Sequence, residues 1–273
     1  MRLVLIDEPT LVLGYDLEKF WISSSGEIDK RHDISGLKAI YKVHKKFKAP
    51  FTIFVLGRML EETDVVELLR VLLSEHSDLI DIEQHGYTHR PYKKLPNVKW
   101  PPLTPSEIRD DVAKAKELIL KLFGRTCIGI RTPYGYYRGL QGEREVLNVL
   151  FSLGIRYISS DLRNQEESFP APWEDPDGYL RQPYFYTDEG FPSLLEIPTQ
   201  GWSDNYLYGL SKYVATEELP REEVFNIYAS YLDYAIKKKL VFAPLFHPWV
   251  FGLKDPSAEV LNNLIEYAIA HDV

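Results

Sequence analysis

The five residues HGYTH hold His85 and His89, two of the chain's seven histidines, four positions apart. At that spacing both rings fall on one side of a helical turn, as in zinc-binding histidine pairs. Neutral imidazole suits Zn²⁺ and related transition metals. Two imidazoles and one carboxylate would leave a coordination position open for water, the pattern of a catalytic metal rather than a structural one. A polar surface turn would use the same residues with no ion, so the reading depends on a third ligand from elsewhere. Asp16 and Glu18 are the first candidates. On a strand, residues i and i+2 face the same side, which would aim both carboxylates into one cavity. Like charges so placed repel unless a cation or an arginine sits between them. One could hold metal while the other acts as base; a solvated strand end would look the same.

Three further groups could complete the chemistry. In GIRTPYG (129–135), Arg131 stands near a strand end and could pair with a carboxylate such as Asp16. The backbone N–H groups after Pro133 could face a developing oxyanion, or the segment could be only a rigid turn. Asp161 and His247 each close an apolar run. A carboxylate beside a histidine raises its pKa and orients it for proton donation; a lone histidine in LFHPW could equally be a packed side chain.

The elements that must position these residues alternate. Apolar runs at 11–17, 49–57, 79–84, 127–133, 155–161, 194–200 and 240–247 read as strands. Helical patterns cover 34–47, 64–76, 104–124, 143–154, 221–239 and 256–271. Thr104, Pro105 and Glu107 spell a capping box with proline at the first helical position, and Gly124 is a stop. A turn-rich, aromatic stretch runs from 162 to 192. Strand–helix alternation implies a parallel α/β fold, and about seven strands with no linker suit one barrel-like domain over 1–273. Chemistry in such folds sits where strands end, and Asp16, His85, Arg131, Asp161 and His247 all fall there.

Composition narrows the classes. The chain has 273 residues and a net charge of −8, with 45% hydrophobic and 26% charged residues. This is a globular composition without the basic stripe of a nucleic-acid binder. One cysteine, Cys127, excludes an intramolecular disulfide. No run reaches the ~18 apolar residues of a membrane span, and the N-terminus lacks a signal-peptide pattern, so a cytoplasmic protein is expected. Trp100, Tyr136, Tyr137, Trp173, Tyr184, Tyr186, Trp202, Tyr206 and Trp249 could stack on sugar rings or could pack loops. Homo-oligomerisation stays open.

The ordered set LGYDLE, APFTIFVLG, HGYTH, GIRTPYG, GIRYISSD, LEIP and FHPW resembles the polysaccharide deacetylase family, the fourth carbohydrate esterase family, over about 11–270. The resemblance implies a distorted (β/α) barrel and a hydrolase that removes an acetyl group from an N-acetylated sugar or related small amide. It implies Asp16 as general base, Glu18, His85 and His89 as metal ligands, and Arg131 as the group orienting the base. It implies Tyr134 N–H in the oxyanion hole, His247 as general acid, and Asp161 as the carboxylate tethering His247. The cofactor implied is a divalent transition metal, Zn²⁺ first, with Co²⁺ or Ni²⁺ as alternatives; the partner is a small or short carbohydrate. Gly14-Tyr15 stands where the family has Thr/Ser-Phe, and Leu162 where many members have tryptophan. Two rivals are a metal-independent, allantoinase-like amidohydrolase of the same fold and a non-catalytic carbohydrate-binding protein.

Overall fold

The computed structural model describes residues 2–4, 6–18, 21–22, 26–27, 30–96, 98–211 and 216–273. Met1 and Leu5 of the N-terminal run lie outside them. The fold is α/β with a mostly parallel sheet, the class that the alternation predicts. The chain forms two compact units. One comprises Met1–Leu5, Phe54–Glu61 and Ile82–Gly201; the other Ile6–Ile53, Glu62–Asp81 and Trp202–Val273.

In the first unit, strand Gly129–Tyr136 pairs parallel with Tyr157–Asp161, and Phe191–Glu196 pairs parallel with Tyr157–Asp161 on its other edge. Gln84 at the end of Ile80–Gln84 registers with Ile130, also parallel. Strand Tyr184–Tyr186 is antiparallel both to Phe191–Glu196 and to the N-terminal Arg2–Leu3. Helix Pro105–Phe123 starts on the expected capping box, with Thr104 and Glu107 bonded reciprocally, and ends at Gly124 in the left-handed region. It buries Ile108, Val112, Ala115 and Ile119. These spacings are the core face of an amphipathic helix. Ile130, Leu147, Leu150, Ile158 and Leu194 fill the same core.

In the second unit, the run expected as one strand over 11–17 divides into Thr10–Leu11 and Gly14–Leu17. The run at 240–247 divides in register with it, Val241–Phe242 pairing with Thr10–Leu11 and Leu245–Phe246 with Gly14–Leu17, all parallel. Tyr15 is buried among His44, Phe51, Phe246 and Phe251. Two helices escape the sequence reading. Asp204–Leu207 is one turn, and Pro248–Lys254 begins directly after His247 with proline at its start. The second helix is pressed onto Arg31–Phe47: a Cβ at Gly36 would meet Pro248 O at 1.8 Å, and one at Gly252 would meet His32 O at 2.1 Å. Close backbone approach of this kind fixes where the helix, and so His247, begins.

Candidate active site

Strand Gly14–Leu17 sends Tyr15 and Leu17 into the core and turns Asp16 and Glu18 to the opposite face, as a period of two requires. Both carboxylates are buried. Glu18 Oε1 lies 3.8 Å from His247 Nε2.

HGYTH is not a helical turn, contrary to the i, i+4 reading. Gly86 (φ 70°) and His89 (φ 60°) both occupy the left-handed region, which breaks helical continuation at each end of the segment. Backbone bonds instead tie it to the short turn Gly57–Glu61: Gly57 N–H donates to Gly86 O at 2.8 Å and Arg58 N–H to Tyr87 O at 3.3 Å. The imidazole rings of His85 and His89 still meet, with centroids 5.1 Å apart. His85 Nδ1 lies 2.9 Å from Arg131 O. A carbonyl only accepts, so Nδ1 carries the proton and Nε2 keeps its lone pair for a ligand role.

Arg131 lies on Gly129–Tyr136, a strand that runs past Pro133 rather than stopping at it. Its Nε donates to Ser159 Oγ at 3.2 Å and its guanidinium covers the Phe54 ring at 4.4 Å. Tyr134 and Gly135 are both left-handed, with φ of 71° and 62°. A Cβ at Gly135 would sit 1.9 Å from Leu162, so the side chain standing where the family often has tryptophan is packed on this turn. Arg163 clamps the turn, its Nε donating to Tyr134 O and Gly135 O at 3.0 Å each. The Tyr134 ring stands 4.9 Å from that of His89.

The carboxylate on His247 is Asp204, not Asp161. Asp204 Oδ1 accepts from His247 Nδ1 at 2.6 Å and Oδ2 from His247 N–H at 2.7 Å. Burial works against a charged imidazole. The charge and hydrogen bond of Asp204, with the charges of Glu18 and Asp16, outweigh it and push His247 up to about 9. The ring is therefore protonated at neutral pH, with Nε2 turned toward Glu18. Asp161 has other business. It pairs with the buried Arg181, accepts from Tyr179 OH at 3.0 Å and from Arg138 N–H at 3.0 Å, and burial pushes it up to about 6 against the pull of Arg181. Asp204 escaped the sequence reading because its partner lies 43 residues away and one bridge, Ser203 beside Leu245, brings the two segments together.

The aromatic set is mostly packing. Tyr136, Tyr184, Tyr186, Tyr206 and Trp249 are buried, so they offer no stacking face to a sugar; Trp100 is 65% exposed.

The side chains of metal-ligating type that the resemblance implies are His85 and His89 in the first unit and Glu18 in the second. Two imidazoles and one carboxylate, with one imidazole tautomer fixed by a backbone carbonyl, fit a divalent transition metal. No helix among the described residues is long and apolar enough to cross a membrane.

Residues 33–158 match the family described as polysaccharide deacetylase. No curated protein sequence matches the chain. Among solved structures, a candidate polysaccharide deacetylase from Mycobacterium smegmatis is similar at TM-score 0.68 and 16% identity, over 100% of this chain and 88% of that one. PuuE allantoinase is similar at 0.66 and 16%, over 96% and 84%. A probable polysaccharide deacetylase from Pseudomonas aeruginosa PAO1 is similar at 0.64 and 15%, over 96% and 85%. These structures share the fold. The family match covers the part of the chain that holds His85, His89 and Arg131.

Proposed function

We propose that the protein is a metal-dependent hydrolase that removes an acetyl group from an N-acetylated sugar or a related small amide. The observation that carries this reading is the His85–His89 pair, whose rings meet 5.1 Å apart with His85 Nε2 left to a ligand; Glu18 is the proposed third donor. A divalent transition metal, Zn²⁺ first, is the ion those side chains would hold; when bound it supplies Lewis acidity, lowering the pKa of water from 15.7 towards ~7.

The remaining chemistry belongs to the chain. Asp16 is the base that takes a proton from the attacking water, and Arg131 is the group that orients it. The Tyr134 N–H donates to the oxyanion as the carbonyl becomes tetrahedral; a donor of this kind is typically worth about 10²–10³ in rate. His247, protonated and held by Asp204 through Nδ1, delivers the Nε2 proton to the leaving nitrogen. Arg163 keeps the Tyr134–Gly135 turn from shifting. Five of the nine candidate aromatics are buried, which favours a small or short substrate over a polymer.

The test is acetate release from N-acetylglucosamine and short N-acetylated oligosaccharides, before and after chelation. Chelated protein should lose at least ~10²-fold, the scale of one oxyanion donor, and recover with Zn²⁺, Co²⁺ or Ni²⁺. Full activity in metal-free protein refutes this mechanism and favours the metal-independent amidohydrolase.

A further inference from the structure

We propose that Asp111 is the positioning residue that gives the HGYTH turn its ligand-presenting shape; this role rests on the metal-dependent reading above. Asp111 lies on the buried face of helix Pro105–Phe123, beside Ile108, Val112 and Ala115. A carboxylate there is costly unless its oxygens are satisfied. They are satisfied by the turn. Oδ2 accepts from Tyr87 N–H at 2.8 Å and from Tyr92 OH at 2.9 Å. Oδ1 accepts from Thr88 N–H at 2.9 Å and from Thr88 Oγ1 at 2.6 Å.

Two consecutive amides thus point at one side chain. Neither has a helical partner, so without Asp111 both would be orphan donors in a half-buried segment. An ionised carboxylate has about four acceptor sites and no donor, and four donors fill it. The residues between the two histidines are therefore drawn to one point, and the left-handed Gly86 and His89 are the corners this requires. Gly86 fits the same device: a Cβ there would lie 2.7 Å from both Asp111 Oδ2 and Tyr92 OH. Asparagine could not serve, because its NH₂ would face an N–H donor. Outer partners that orient metal ligands typically set affinity by about 10–100-fold.

The experiment is a zinc titration against a competing chelator on wild type, Asp111→Asn and Thr88→Val, with amide hydrogen exchange at Tyr87 and Thr88. Asp111→Asn should bind zinc about 10–100-fold more weakly and exchange both amides faster while circular dichroism stays native. Thr88→Val removes one donor, keeps both backbone N–H groups, and should lose about 2–10-fold. It decides the matter if Asp111→Asn does not fold. Folded variants that bind zinc as wild type does overturn the role of Asp111 alone. Wild-type protein that binds no zinc overturns the metal reading, and this role with it.

Discussion

Asp161 and Asp204 are both enclosed aspartates, and burial raises the pKa of each. Their partners make them different. Asp161 closes strand Tyr157–Asp161 against Arg181, which also holds Asp175 at 3.2 Å. Arginine does not release its proton, so Arg181 has none to deliver to a substrate; the pair fastens the turn-rich stretch after 162. Asp204 opens a single helical turn against His247, whose charge changes in the accessible pH range. The first pair is mortar. The second can move a proton. Burial alone does not distinguish a catalytic carboxylate from a structural one; the chemistry of the facing group does.

Breaking each pair should therefore fail differently. Asp204→Asn should lower kcat by about 10²–10⁴, the range for a general acid, with the fold intact. Its pH profile should also change sign-consistently. His247, as the proposed general acid, must be protonated, so wild-type activity should fall as pH rises through about 9, and the variant's fall should begin at lower pH. Arg181→Met should instead lower stability by about 3–5 kcal/mol in urea denaturation, because it strands buried carboxylates. Its surviving folded fraction should keep the wild-type pH profile.

A smaller effect comes from His44. Its Nδ1 donates to Ala49 O at 2.8 Å, so Nε2 accepts from Tyr15 OH at 2.7 Å and the ring is neutral. Burial lowers it to about 4, against the opposing pull of Ala49 O. The unfolded chain takes up a proton below about 6.5 and the folded one does not. Stability from this group is complete above 6.5 and is lost as pH falls towards 4, on the order of 3 kcal/mol. Denaturation midpoints across that window should show the slope, and His44→Gln should flatten it.

The sequence carried these contrasts unevenly. Helix Pro105–Phe123 was legible to its ends because capping chemistry is local. The face-sharing of Asp16 and Glu18 followed from strand periodicity. The turn at HGYTH was not legible, because its shape is set by Asp111, a side chain more than 20 residues away on another element. The same holds for Asp204, whose place beside His247 depends on one parallel bridge. Asp161 invited the tethering role because it ends a strand, yet nothing in its local sequence announces Arg181. Local rules found the residues; long-range pairing decided their jobs.

The central claim is that Asp204 sets the proton affinity of His247. Its most direct test is a ¹H–¹⁵N NMR titration of the His247 ring in zinc-free wild type, Asp204→Asn and Asp161→Asn. Wild type and Asp161→Asn should titrate together near the value of about 9, and Asp204→Asn should fall by about two units. A fall in Asp161→Asn with no change in Asp204→Asn would contradict the account.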